Sequence, residues 1–147
     1  MLSALKGRTL VTAESCTGGG IGAALTAVPG SSEVYKGGVI SYTNWVKHNL
    51  LGVNAELLER CGAVSAPVAE AMAAGARKAL QADIAVSVTG LAGPGGDEFG
   101  NPVGTVFVGY ADEKTVLSRE CHFSGDRDAV REQAVKAALE LVLMNNR

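Results

Sequence analysis

A serine and a cysteine stand where an apolar run meets consecutive glycines, in the segment Val11-Thr12-Ala13-Glu14-Ser15-Cys16-Thr17-Gly18-Gly19-Gly20. This order is typical of a strand that passes a reactive side chain to the start of a helix. Glycines allow the backbone to turn sharply, and the first amides of a helix have no intrahelical acceptor, so they can face an anion. The segment is therefore compatible with a nucleophile and an oxyanion site that share this turn. An ordinary turn, in which a hydroxyl only caps the helix, fits the same stretch about equally well.

The length and the charge of the chain restrict its possible functions. Its 147 residues predict one domain over residues 1–147, with a core that needs neither a disulfide nor a structural metal. The 13 basic and 15 acidic residues give a net charge of −2 without a long run of either sign. This balance argues against binding to nucleic acid or to a membrane surface, and it favours a small-molecule ligand.

The cysteines and the apolar segments indicate a compartment. The three cysteines are an odd number without CxxC spacing, and only two histidines could join them in a metal site. We therefore expect reduced thiols, no bound metal and a cytoplasmic location. No apolar run is long enough to cross a bilayer, and the N-terminus lacks the pattern of a secretion signal.

Hydrophobic periodicity and turn residues predict strands that alternate with helices. Strands are predicted over residues 9–14, 39–42, 83–88, 104–110 and 115–123, the last two as a hairpin around Asp112-Glu113-Lys114. Helices are predicted over residues 18–28, from a cap at Asn44 to Gly52, over 66–80, and from Gly125-Asp126 to Met144. The pattern predicts a three-layer α/β/α sandwich with a mixed sheet, because the late hairpin must be antiparallel.

Three residues with functional side chains, Ser15, Tyr42 and Thr89, lie at the ends of predicted strands. In open α/β sheets, ligands collect beyond the carboxyl ends of the strands. If the first three strands are parallel, the Ser15 turn, residues 42–47 and the glycine-rich loop 89–96 form a single pocket. An antiparallel second strand would place Tyr42 at the opposite edge and rule this pocket out.

Four segments carry a family resemblance: TAESCTGG at 12–19, YKGGVISYTNWVKHNLLGV at 35–53, GAVS at 62–65 and TGLAGPGG at 89–96. Their order and spacing extend over nearly the whole chain and resemble the CinA C-terminal domain family. The resemblance implies an α/β fold similar to anticodon-binding-like domains and a homo-oligomeric enzyme without a metal or an organic cofactor. It also implies hydrolysis of nicotinamide mononucleotide to nicotinic acid mononucleotide and ammonia, in the salvage of pyridine nucleotides.

The resemblance further implies a catalytic serine, tyrosine and lysine, which map onto Ser15, Tyr42 and Lys47. Hydrolysis of a carboxamide requires an activated nucleophile, an oxyanion site and a proton donor for the departing ammonia. Lys47 can act as the base only if burial lowers its pKa from ~10.4 to ~7–8, at a cost of about 4 kcal/mol. We expect Ser15 to attack and the amides near Cys16 to Gly19 to be the oxyanion donors. Tyr42 is expected to relay a proton between Ser15 and Lys47 or to orient the serine.

Contacts with the substrate are expected from both glycine-rich segments and from the C-terminal helix. Cys16 is expected to pack rather than to attack, because no histidine lies near it in the sequence. Arg127 and Arg131 either reach a phosphate or form ion pairs with Asp128 or Glu132. The loop 89–96 either holds part of the nucleotide through its amides or is a structural turn. The expected substrate-binding residues are Cys16, Thr17, Gly18, Gly19, Thr89, Gly90, Ala92, Gly93, Arg127 and Arg131.

Other interpretations of the same residues stay open. Ser15 could be a cap, Lys47 a surface lysine and Tyr42 a core aromatic, with Glu14 a buried partner of the turn. A non-catalytic nucleotide-binding module would use the same loops without releasing ammonia. A regulatory domain is a third possibility, because members of the resembled family also occur fused to a second domain related to molybdopterin-binding proteins.

Overall fold

The sheet of the computed structural model, which describes residues 2–147, has five strands. In chain order they are β1 (Leu10–Glu14), β2 (Tyr35–Ile40), β3 (Ile84–Gly90), β4 (Thr105–Ala111) and β5 (Val116–His122). Their order across the sheet is β2-β1-β3-β4-β5. Strand β1 pairs in parallel with β2 and β3, whereas β3, β4 and β5 pair antiparallel. The predicted mixed sheet is confirmed.

Five α-helices cover the two faces of this sheet. They are α1 (Gly20–Thr26), α2 (Asn44–Asn49), α3 (Ala55–Cys61), α4 (Ala66–Ala79) and α5 (Arg127–Met144). Two short 3-10 turns, Leu2–Leu5 and Ser31–Glu33, precede β1 and β2. No helix among residues 2–147 is both long enough and apolar enough to span a membrane.

Alternation along each strand divides the apolar side chains between two cores, which gives the predicted three layers. One core packs α1 and α5 against residues such as Leu10, Val86 and Val108. The other packs α3, α4 and the segment after α2, with Leu51 and Val53, against the opposite face, which includes Val11 and Ala85. The two cores hold β1 and β3 rigidly in the middle of the sheet, where both strands are almost wholly buried.

The second strand differs most from its prediction, because it spans Tyr35–Ile40 rather than residues 39–42. Glycine is depleted in strands, so Gly37 and Gly38 weakened the pattern over the first half of β2. Gly38 is required there because a Cβ at this position would overlap the hydroxyl of Thr12 on β1. The early end of β2 leaves Tyr42 beyond the strand.

The helix boundaries also required correction. Helix α1 begins at Gly20 rather than at residue 18, because Gly18 and Gly19 have φ of 58° and 105° and belong to the turn. Thr43, not Asn44, caps α2, since its hydroxyl accepts from the amide of Val46. Helix α3 was not predicted, although its Asn54 cap was visible in the sequence. Its brevity weakened the periodic signal.

Candidate active site

Parallel pairing brings the carboxyl ends of β1, β2 and β3 to one edge of the sheet. Glu14, the last residue of β1, lies opposite Ile40 on β2 and Val88 on β3. The Ser15 turn, the segment that leads into α2 and the loop after β3 therefore begin side by side, as predicted. The condition on which the single pocket depended is met.

A cavity of about 450 Å³ opens at this edge. Of the residues singled out in the sequence, its lining includes Ser15, Cys16, Tyr42, Lys47, Thr89, Gly90, Ala92, Gly93 and Arg127. Asn44, Ala63 and Val64 also line it and were missed as site residues. Asn44 was interpreted only as a helix cap, although its place between Tyr42 and Lys47 was a signal. Thr17, Gly18, Gly19 and Arg131 do not line this cavity.

Ser15 and Lys47 are in direct contact. The Lys47 ammonium donates to Ser15 Oγ at 3.0 Å and to the backbone oxygen of Ser41 at 2.6 Å. Lys47 is 1% exposed, and it makes no ion pair with a carboxylate among residues 2–147. The Thr43 cap fixes the first turn of α2, which carries Lys47 inward. The alternative of an exposed surface lysine is therefore wrong.

The burial of Lys47 changes its acid–base behaviour. Desolvation of the ammonium lowers the pKa of Lys47 from 10.5 to about 8, and nearby Cys16 opposes this shift. A buried amine without an anionic partner is disfavoured in its charged form. Lys47 is thus placed, in contact with Ser15, to accept a proton near neutral pH.

Tyr42 lies at the rim of the cavity rather than between the other two residues. Its side chain is 60% exposed, and its hydroxyl accepts from Arg127 Nη2 at 3.1 Å. Arg127 Nη1 donates to the backbone oxygen of Gly93 at 2.6 Å, so Arg127 links both sides of the cavity mouth. Tyr42 has no hydrogen bond to Ser15 or Lys47 among the described residues. A relay through Tyr42 is not needed, because Ser15 and Lys47 already touch.

A buried carboxylate supports the turn that carries Ser15. Glu14, 2% exposed, accepts from Thr17 Oγ1 at 2.7 Å and from the amides of Ile21 and Gly22 at 2.8 and 3.0 Å. These amides belong to the first turn of α1, so Glu14 acts as its cap. The hydroxyl of Thr17 is committed to Glu14, which corrects the expectation that it contacts the substrate.

Among residues 2–147, three backbone amides of the turn have no acceptor on another residue. The amide of Ser15 donates to Val88 O, and that of Gly18 donates to Ser15 O. Within residues 2–147, the remaining amides of the turn, those of Cys16, Thr17 and Gly19, make no hydrogen bond to another residue. Of these three residues only Cys16 lines the cavity, so its amide is the candidate oxyanion donor, while Gly18 and Gly19 provide the left-handed backbone of the turn.

Arg131 contacts the turn from behind. Its Nε donates to Cys16 O at 3.0 Å and its Nη2 to Thr17 O at 3.2 Å. It lines a separate depression between α1 and α5 and pairs with neither Asp128 nor Glu132. The surface ion pair expected for Arg131 is therefore wrong, whereas its contact with a phosphate stays a prediction.

Cys16 differs from its neighbour Ser15 in its readiness to ionise. Burial raises the pKa of the Cys16 thiol to about 11, although a backbone hydrogen bond and the charges of Arg131, Lys47 and Arg127 oppose the shift. The thiol is therefore protonated at neutral pH, and a protonated thiol is a poor nucleophile. Ser15, in contact with the amine, is the better candidate.

The loop after β3 forms the other wall of the cavity. The Thr89 hydroxyl donates to Ala63 O at 2.8 Å, so it joins this wall to the segment before α4 rather than pointing a free donor at a ligand. Gly90 is required for close packing, since a Cβ there would lie 2.6 Å from the side chain of Val106. Gly93, with φ of 92°, turns the chain toward Arg127. Within the described residues, no cluster of three or more His, Cys, Asp or Glu is arranged to hold a metal ion.

Comparison of the sequence with known proteins identifies its family and its relatives. The sequence matches the family model of the CinA C-terminal domain over residues 2–145. A CinA-like protein of Thermosynechococcus vestitus is 54% identical over 138 residues, which are 92% of this chain and 33% of that protein. A CinA-like protein of Mycolicibacterium gilvum is 52% identical over 139 residues, or 94% of this chain and 33% of that protein. The chain spans about a third of the length of these curated relatives.

Solved structures share the fold over almost the whole chain. The competence/damage inducible protein CihA from Agrobacterium tumefaciens superposes with a TM-score of 0.95 and 41% identity, covering 99% of this chain and 91% of that one. A competence-damaged protein (CinA) superfamily protein from Enterobacter cloacae gives a TM-score of 0.95 and 36% identity, covering 99% and 87%. The sheet topology described above is therefore that of these relatives.

Proposed function

The chain belongs to the CinA C-terminal domain family, and from that premise we propose that it hydrolyses the carboxamide of nicotinamide mononucleotide to nicotinic acid mononucleotide and ammonia. The observation that carries the proposal is the buried contact between Ser15 Oγ and the Lys47 amine at 3.0 Å. A nucleophile in contact with a base of lowered pKa is the arrangement that amide hydrolysis requires.

The first half of the reaction forms an acyl-enzyme. Neutral Lys47 takes the proton of Ser15 Oγ as that oxygen attacks the carboxamide carbon. The carbonyl oxygen becomes an oxyanion, which accepts from the backbone amide of Cys16, a residue that lines the cavity. Collapse of this intermediate breaks the carbon–nitrogen bond, and Lys47 returns its proton to the leaving ammonia.

The second half of the reaction restores the serine. A water molecule gives a proton to Lys47 and attacks the ester carbon. The ester bond to Ser15 Oγ breaks, and Lys47 returns the proton to that oxygen. The carboxylic acid product loses its remaining proton to solvent and leaves as the carboxylate. One base serves both halves of the reaction, because its proton is taken up and released in each.

Arg127 and Tyr42 are assigned to the substrate rather than to proton transfer. Both lie at the cavity mouth, where Arg127 provides a cation for the phosphate and Tyr42 an exposed aromatic face. The volume of about 450 Å³ lies within the usual range for small-molecule sites. Self-association into a homo-oligomer, implied by the resemblance, is part of the proposal and is tested by sedimentation velocity.

A non-catalytic binding module explains the lysine less well. Burial of Lys47 with a pKa of about 8 costs the folded state about 3 kcal/mol at pH 7, and ligand binding alone gains nothing from a basic amine beside a serine. An enzyme that needs a neutral amine does gain from it. This cost favours the catalytic interpretation over the binding module and the regulatory domain.

The test is an assay of ammonia release with nicotinamide mononucleotide, nicotinamide riboside and the dinucleotide as separate substrates. We expect release from the mononucleotide with the wild type and a loss of at least about 10³-fold with Lys47→Met. Binding of the mononucleotide without ammonia release would instead establish the non-catalytic module. Release only from the riboside or the dinucleotide would retain the chemistry and refute the substrate.

A further inference from the structure

The amine of Lys47 has two hydrogen-bond partners, which differ in what they can do. Its Nζ lies 3.0 Å from Ser15 Oγ and 2.6 Å from the backbone oxygen of Ser41. Within residues 2–147 this amine has no other hydrogen-bond partner. A hydroxyl can donate a hydrogen bond or accept one, whereas a carbonyl oxygen can only accept. The two contacts are therefore not equivalent once the amine loses its charge.

The two partners decide how the neutral amine is oriented. A neutral amine has two N–H bonds and one lone pair. Because the oxygen of Ser41 can only accept, an N–H bond of Lys47 points at it, since the lone pair of the amine would be repelled there. Ser15 is then the partner that can donate to the lone pair. The carbonyl of Ser41 thus favours the orientation in which Lys47 can remove the proton of Ser15.

Ser41 is itself held beside the nucleophile. The residue is fully buried, and its amide donates to Glu14 O at 2.7 Å. Its hydroxyl donates to the same oxygen at 3.3 Å. Glu14 is the last residue of β1, a buried strand in the middle of the sheet, and it directly precedes Ser15. The carbonyl that holds the base and the residue that carries the nucleophile are therefore anchored at the same point of the backbone.

We propose that Ser41 is a positioning residue, whose backbone carbonyl holds one N–H bond of neutral Lys47 and so turns the lone pair of the amine toward Ser15. This inference rests on the proposed function, because the direction of the lone pair matters only if Lys47 takes a proton from Ser15. Ser41 does not line the cavity, so it acts through Lys47 and not on the substrate. Its contribution is to the alignment of the proton transfer.

The experiment weakens this carbonyl without changing a side chain. The substitution Tyr42→para-hydroxyphenyllactic acid, the α-hydroxy analogue of tyrosine, converts the peptide bond after Ser41 into an ester, whose carbonyl is a poorer acceptor. The amide that Tyr42 loses makes no hydrogen bond within residues 2–147, so the contact with Lys47 is the hydrogen bond that changes. At the high-pH plateau, kcat for ammonia release from nicotinamide mononucleotide should fall by about 5–20-fold, because misalignment of reacting groups is costly.

The pH profile separates this role from a merely structural one. A poorer acceptor stabilises the ammonium of Lys47 less, so the midpoint of kcat/KM against pH should lie below that of the wild type. KM and the Kd for nicotinic acid mononucleotide should change less than about threefold, because the side chains that line the cavity are unchanged.

The matched control is the same substitution at Tyr35, which converts the peptide bond after Val34 into an ester. The oxygen of Val34 accepts from the amide of Leu10 at 2.9 Å, at the start of β2 and away from the site. This control also weakens one backbone hydrogen bond between β1 and β2, but it should leave kcat and the midpoint unchanged. Melting temperatures and mass spectra establish that both proteins fold and retain the ester.

A plateau kcat of the Tyr42 ester within twofold of the control would overturn the inference, and so would an unchanged midpoint. Equal rises in KM and in the Kd of the product would also overturn it, because they would show a binding role. If the Tyr42 ester does not fold, Ser41→Gly decides, since it removes the hydroxyl contact and frees the backbone that presents the carbonyl. Its kcat should fall by more than about twofold, and a smaller loss would overturn the inference. Absence of ammonia release by the wild type is a separate result, which would refute the proposed function itself.

Discussion

Raising the pH from 7 to 9 is expected to increase kcat/KM for nicotinamide mononucleotide about tenfold, with a midpoint near pH 8. The buried ammonium of Lys47 has a pKa of about 8 in place of 10.5, so about 9% of it is neutral at pH 7 and about 90% at pH 9. With the ordinary pKa, only about 0.03% would be neutral at pH 7. Burial therefore supplies about 300 times more active base at that pH.

The assay follows ammonia release through a coupled dehydrogenase at subsaturating substrate. The phosphate of the substrate titrates near pH 6, below this window, so the rise belongs to the enzyme. Lys47→Arg is the paired variant, since a guanidinium does not lose its proton in this range. It should lose at least about 10³-fold in kcat/KM at every pH. A flat profile in the wild type, a midpoint above pH 10, or wild-type turnover by Lys47→Arg would refute the reasoning.

Three further predictions concern the residues around the contact. The pKa of Lys47 is lower in the folded than in the unfolded chain, so the unfolded chain binds more protons above pH 7. The free energy of unfolding of the wild type, measured by urea titration, should therefore rise by about 1 kcal/mol from pH 7 to 9 relative to that of Lys47→Met. The same pH dependence in both proteins would contradict the cost of burying Lys47. Glu14→Gln replaces a buried carboxylate that accepts three hydrogen bonds. It should lower the free energy of unfolding by about 2–3 kcal/mol in the same urea titration. A loss below about 0.5 kcal/mol would show that this cap is dispensable. Cys16→Ala should retain kcat within about tenfold because the thiol stays protonated, and abolished turnover would point to thiol chemistry.

The motif segments predicted the parts of the site that depend on parallel pairing. Once β1, β2 and β3 are parallel, Ser15, Lys47 and the loop 89–96 must share one edge of the sheet, and the sequence was sufficient to predict this. The five strands and the helices α1, α2, α4 and α5 followed from their periodicity and turn residues, whereas α3 was missed. The ends of β2 did not, because Gly37 and Gly38 weaken the strand pattern and Gly38 is present to leave room for Thr12 on the neighbouring strand.

The hydrogen-bond partners of individual side chains could not be predicted from the spacing of residues in the sequence. Thr17 and Arg131 are polar residues near the nucleophile, and a ligand contact was the natural expectation for both. Their partners, Glu14 and the carbonyls of Cys16 and Thr17, are decided by where α1 and α5 pack against the turn. Tyr42 similarly meets Arg127 from a helix 85 residues away in the sequence. Contacts of this kind are set by tertiary packing, which a local pattern does not contain.

The turnover of Ser15→Ala tests the central claim most directly, namely that Ser15 is the nucleophile that Lys47 activates. The substitution removes one oxygen from a nearly buried residue, so the fold and the cavity should persist, and the Kd for nicotinamide mononucleotide should stay within about threefold. The account predicts that kcat for ammonia release falls by about 10⁴-fold or more. Retention of kcat within tenfold of the wild type would contradict it.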